Sequence, residues 1–64
     1  MMYFNSRDEL IMWVLDKFYY GYIFRMCELT NLSDIALSKE IKQITRNEMR
    51  MGKENNVYFL EYLF

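Results

Sequence analysis

The run LIMWVLDKFYYGYIFRMCEL, residues 10–29, does most to limit what this chain can fold into. Wound as a helix at about 100° per residue, it is apolar on nearly every side. Ile11, Leu15, Phe18, Tyr22, Met26 and Leu29 recur at steps of four, three, four, four and three, which is one helical stripe. Leu10, Trp13, Val14, Phe24 and Cys27 fill an adjoining face, and Tyr19, Tyr20 and Ile23 much of the rest. A single partner helix cannot cover such a rod. The run has the length of a bilayer span. Asp16, Lys17, Arg25 and Glu28 interrupt it, however, and each would be costly in lipid. The run is therefore expected to be buried by the rest of the chain, by a second copy, or by a partner.

With 64 residues the chain makes one domain, residues 1–64. A chain of this length buries only about 60% of its unfolded surface and usually needs a staple. Cys27 has no second cysteine to pair with, and there is no histidine, so neither a disulfide nor a zinc site is expected. No cofactor is expected either. A content of 53% apolar and 19% aromatic residues argues against disorder. Dense packing, self-association or a partner must supply the stability. The free thiol points to a reducing compartment. MMYFNSRDEL carries acids where a signal peptide needs a basic start, so a cytoplasmic protein is expected.

Proline is absent and glycine occurs only at positions 21 and 52, which favours long helices. NSRDEL reads as a helix start, with Ser6 as N-cap and Glu9 closing a capping box. Helix one is predicted over residues 6–29, with Gly21 marking a close approach of another backbone. LTNLSD is the break, where Asn31 or Ser33 can cap the next helix. Helix two is predicted over residues 33–52, with Leu37, Ile41, Ile44 and Met51 inward and Gly52 as its C′ residue. Opposite that face, Lys39, Lys42, Arg46, Arg50 and Lys53 fall at steps of three, four, four and three, a basic ridge about 21 Å long at 1.5 Å per residue. Glu48 on the apolar face and Ile35 near the basic one break the pattern. KENN is a turn. The composition of VYFLEYLF favours a strand, and MMYF can pair with it. So short a two-stranded ribbon would be weak, so a short third helix capped by Asn56, with Val57, Leu60 and Phe64 inward, is preferred. The predicted fold class is all-α: a small antiparallel helical hairpin with a short C-terminal third element.

Catalytic chemistry has little to stand on. The commonest general base is missing, and Cys27 has no histidine to activate it. Asp8 and Glu9, or Glu40 and Glu48, read as solvated helix surface. Leu32, Ile35 and Ala36 match the opening of many helix-turn-helix motifs, but Ser38, Lys39 and Glu40 include no turn former, so a continuous helix is expected there. ALSKEI resembles the SQELD motif of small helical-hairpin phosphatases that act on sporulation response regulators, through Ser38, Glu40 and Ile41. Lys42 stands where that motif has its acidic residue, so the resemblance implies no phosphatase activity.

Two features point to a macromolecular partner. The basic ridge of Lys39, Lys42, Arg46, Arg50 and Lys53 can meet phosphates or an acidic protein surface. Trp13, Tyr20, Phe24, Tyr58 and Tyr62 can serve as apolar anchors, being of types enriched in interface cores. Met12, Met26, Met49 and Met51 would let such a surface adapt. Nucleic-acid binders usually carry a basic excess, whereas this chain has a net charge of -1. The leading expectation is thus a non-enzymatic interaction protein that binds and inhibits a larger host protein with an acidic surface, like the small products of phages and mobile elements that it resembles in composition. The alternative is a dimeric nucleic-acid-binding regulator, with helix two along the phosphates and helix one forming the dimer. A membrane-surface peptide ranks last, because helix two has few large apolar residues.

Overall fold

The computed structural model describes residues 1–19 and 22–63. In chain order the elements are strand β1 (Met2–Phe4), helices α1 (Arg7–Phe18), α2 (Tyr22–Thr30) and α3 (Asp34–Ile44), and strands β2 (Met49–Glu54) and β3 (Val57–Tyr62). The strands form one antiparallel sheet in the order β1–β3–β2. The fold is α+β, which corrects the predicted all-α helical hairpin. The C-terminal element is the central strand of the sheet, not a third helix. The objection to a weak two-stranded ribbon disappears because residues 49–54, predicted as the end of helix two and the start of a turn, supply a third strand. Three strands with one face packed on helices are stable where two are not.

The rod predicted over residues 6–29 is broken. Helix α1 ends at Phe18, and Tyr19 takes extended dihedrals (φ -140°, ψ 132°) while its N–H still donates to the Leu15 carbonyl. The sequence there, FYYGY, combines weak helix formers with glycine. Breaking the rod lets α2 fold back against α1, so that the chain buries its own apolar surface. Leu10, Ile11, Val14 and Leu15 of α1 and Leu29 of α2 are fully buried, together with Leu37 and Ile41 of α3. The expected close approach at Gly21 and the anchor at Tyr20 lie outside the described residues. At the start of α1, Ser6 Oγ accepts from Glu9 N at 3.2 Å. The Glu9 carboxylate reaches back one residue further than a capping box requires, accepting from Asn5 N at 3.2 Å.

Helix α3 starts on Ser33, whose Oγ accepts from Ala36 N at 3.2 Å. It runs continuously through Ser38–Glu40, as the missing turn former implied. It stops eight residues before the predicted end at Gly52, and without a glycine. Arg46 N donates to the Gln43 carbonyl and Asn47 N to the Lys42 carbonyl, at 3.1 and 2.7 Å. This pair of bonds is the Schellman closure, with Arg46 (φ 54°) and Asn47 (φ 63°) left-handed. Buried Thr45 ties the turn together. Its hydroxyl donates to the Ile41 carbonyl at 2.8 Å and accepts from Met49 N at 3.2 Å. Glu48 thus lies beyond the helix and never faces the core as part of it.

The sheet is two-faced, as side-chain alternation requires. Met49, Met51 and Leu60 point at the helices and are buried. On the other face the Phe59 ring lies across Gly52, its cross-strand partner, where a Cβ would come within 2.3 Å of the ring. Gly52 is therefore a strand residue kept bare by an aromatic ring, not a helix cap. The hairpin joining β2 to β3 turns on Asn55 (φ 52°) and Asn56 (φ 64°). Positive φ at both residues of a two-residue loop is the type I′ geometry that matches strand twist.

Candidate functional site

The connection from α2 to α3 is held by α1. Arg7, in the first turn of α1, donates from Nε to Asp34 Oδ1 at 3.0 Å and from Nη1 to the Thr30 carbonyl at 3.1 Å. Its Nη2 donates to the Leu32 carbonyl. A guanidinium here satisfies carbonyls left open at the C-terminus of α2 and suits that negative dipole end. Asn31 Nδ2 and Thr30 Oγ1 both donate to the Cys27 carbonyl at 3.0 Å, closing the same helix end. Asp34 also accepts from the Tyr58 hydroxyl at 3.0 Å. The Arg7 guanidinium, assisted by Tyr58 and Lys53 against partial desolvation, holds the Asp34 carboxyl below its ordinary range. One aspartate therefore ties the start of α3 to both α1 and β3.

Helices α2 and α3 are also linked through Arg25, which donates to Glu28 at 3.0 Å and to Glu40. The hydrogen bond to Glu28, opposed by burial and helped by Glu40, raises the Arg25 pKa. Glu40 is thereby drawn to the α2 side. Leu37 and Ile41 face the core, with Ile44 partly buried beside them. The opposite side of α3 presents Ile35, Lys39, Lys42 and Gln43, all exposed. Arg46, also exposed, follows in the Schellman turn. Beside this stripe a groove of about 310 Å³ separates α3 from β2, lined by Asp34, Ile35, Ser38, Lys39, Met51 and Lys53. Helix α3, joined to α2 through residues 31–33, thus stands beside a β-hairpin, with one lysine on each wall of the groove.

Comparison with protein-family models, curated proteins and solved structures gives no match. The functional reading therefore rests on this geometry.

The five predicted ridge cations do not form a ridge. Lys39 and Lys42 lie on α3, Arg46 in the turn, and Arg50 and Lys53 on β2. Lys53 rejoins Lys39 across the groove, with its Nζ 5.1 Å from the Tyr58 ring centre. Arg50 is lost to the group. It points to the other face of the sheet, pairs with Glu61 and covers the Phe59 ring at 5.5 Å. Among the predicted apolar anchors, Trp13 is half-buried between Phe4 and Phe18, at ring separations of 6.4 and 6.3 Å. Tyr58 is half-buried and committed to Asp34. Phe24 is 84% exposed, and Tyr62 is exposed at the end of β3 away from the hairpin loop. Met49 and Met51 belong to the core, Met26 is half-buried and Met12 is exposed. Ile35 was not among the predicted site residues, yet it is 74% exposed at the N-terminal end of the cationic stripe. Its position near the basic face was the available signal.

Proposed function

We propose that this chain is a small, non-enzymatic regulator that binds double-stranded DNA, with α3 against the duplex and the β2–β3 hairpin beside it. The observation that carries the proposal is the outward stripe of α3, with Lys39 and Lys42 on it, Arg46 after it and Lys53 facing it across the groove. The major groove is about 12 Å wide and admits one helix, so the basic outer side of α3 can lie in it. The net charge of -1 belongs to the whole molecule, whereas the proposed face is locally basic through Lys39, Lys42, Arg46 and Lys53. The longest dimension of the molecule is 29 Å. Half-sites of dimeric binders lie about 34 Å apart, so one copy suits one half-site and two copies suit a palindrome. The free Cys27 and the DNA ligand both fit a cytoplasmic protein. Among the described residues, no helix is long and apolar enough to cross a membrane.

The test is fluorescence anisotropy of a labelled random-sequence duplex titrated with the full chain at several salt concentrations. Four phosphate-contacting cations give a slope of log affinity on log salt of about -3.6. Absence of binding at about 50 mM salt, where such contacts are strongest, refutes the proposal. A second reading, a protein that inhibits a larger partner, draws on Phe24, which is 84% exposed. It predicts that Phe24→Ala abolishes capture of that partner without changing the fold.

A further inference from the structure

We infer that Ile35 is a base-reading residue that packs against the C5-methyl of a thymine in the major groove. This inference rests on the DNA-binding reading above and adds sequence preference to it. Ile35 is the second residue of α3 and is 74% exposed. It is β-branched, so a helix surface position disfavours it relative to alanine, lysine or glutamate. It also leaves an apolar side chain in water. A surface built only to neutralise phosphates has no use for it. Its helical neighbours at three and four residues on are Ser38 and Lys39, and all three line the groove toward β2.

The order along α3 matches what a recognition helix requires. Residues near the N-terminus of such a helix contact base edges. Lys42 lies about 10 Å further along the helix at 1.5 Å per residue, and Arg46 follows in the closing turn, so both sit away from the end assigned to the bases. Among the groups in the major groove, the thymine methyl is the one that calls for an apolar partner. Ile35 therefore favours a site with thymine at the contacted position, and Lys39, one turn on, stays with the phosphates. Double-stranded RNA offers neither an accessible major groove nor the methyl.

The experiment is selection of binding sequences from a random duplex library with the full chain. Each thymine of the enriched site is then replaced in turn by uracil, which deletes only the methyl. One replacement is expected to weaken binding about fourfold, the worth of one methyl taken out of water. Ile35→Ala is expected to erase that difference and to leave the salt slope and the circular dichroism spectrum unchanged. Enrichment of no sequence, or equal binding of thymine and uracil duplexes with the salt slope intact, overturns the base-reading role while leaving DNA binding standing. Loss of all duplex binding, or equal binding of double-stranded RNA, overturns the parent reading and this one with it.

Discussion

Replacing Arg46 by glycine should make the protein more stable and a poorer DNA binder at once. Arg46 closes α3 in the left-handed region (φ 54°), at the C′ position of a Schellman motif. A residue with a Cβ loses about 1–2 kcal/mol in that conformation. Glycine avoids this loss but adds about 0.5–1 kcal/mol of unfolded-chain entropy. The balance is a gain of about 0.5–1 kcal/mol. For a domain of this size that corresponds to an increase in Tm of about 2–8 °C. The same change removes one of four interface cations, so the salt slope should flatten by about 0.9, from about -3.6 to about -2.7. Arg46→Ala is the control. It drops the charge, keeps the backbone penalty, and should flatten the slope without raising Tm. Thermal melts and anisotropy titrations on the same preparations read both effects. A glycine variant that melts lower refutes the Schellman assignment. One that melts higher with an unchanged slope removes Arg46 from the interface. Backbone strain kept at an exposed basic residue is the pattern found where function, not stability, chooses the side chain.

Three other perturbations probe the frame that holds α3. Arg7→Ala removes a charged donor from Asp34 and from the Thr30 and Leu32 carbonyls, and should cost about 2–3 kcal/mol in urea unfolding. Gly52→Ala forces the Phe59 ring off β2, because the new Cβ would sit 2.3 Å from it; a loss of about 1–3 kcal/mol is expected, and a neutral result would contradict the ring-over-glycine packing. Asp34 has a folded pKa lowered chiefly by Arg7, so its contribution is present above the ordinary carboxylate range and is lost as pH falls through the folded value. The urea midpoints of wild type and Asp34→Asn should therefore differ at neutral pH and converge on acidification below about pH 4.

The features readable in advance were those with a local cause. Ser6 caps the helix it was expected to cap, and Ser33, one of two candidates with Asn31, caps α3, because a hydroxyl before a helix satisfies an open N–H whatever the rest of the chain does. Leu37 and Ile41 are core residues on the predicted inward face. The stop at Arg46 was hidden because it uses no glycine. Beyond it, Arg50 and Lys53 continue the helical spacing by coincidence, and that coincidence carried the predicted helix to Gly52. The competing signal lay in MRMGKE, where Met49 and Met51 alternate with Arg50 and Gly52 at the period of a strand. Its partner VYFLEYLF has the composition of a strand, but paired with MMYF alone it would make a weak ribbon, and the strand that completes the sheet lies mostly inside the predicted helix. Of the proposed DNA-facing surface, Lys39, Lys42, Arg46 and Lys53 could be picked as cations. Ile35 could not, because an isolated apolar residue on a basic face looks like imperfection until its exposure is known.

Net charge and local charge lead to different partners for this chain, and two alanine substitutions separate them. A total of -1 counts every charge equally, whereas a duplex responds to those that face it. Arg50 and Lys42 are both cations in the half of the chain that follows Ile35, yet the fold gives them opposite roles. Arg50 spends its charge on Glu61 and on the Phe59 ring, across the sheet from α3. Lys42 stands exposed on the stripe. Lys42→Ala should flatten the salt slope by about 0.9 and leave stability within about 0.5 kcal/mol of wild type. Arg50→Ala should leave the slope alone and cost about 1 kcal/mol from the lost ion pair and ring contact. Equal slopes for the two variants would mean that binding follows overall charge and not the α3 face, and the proposed orientation on DNA would fail. Unequal slopes would place the electrostatic footprint on α3, because the two variants carry the same net charge.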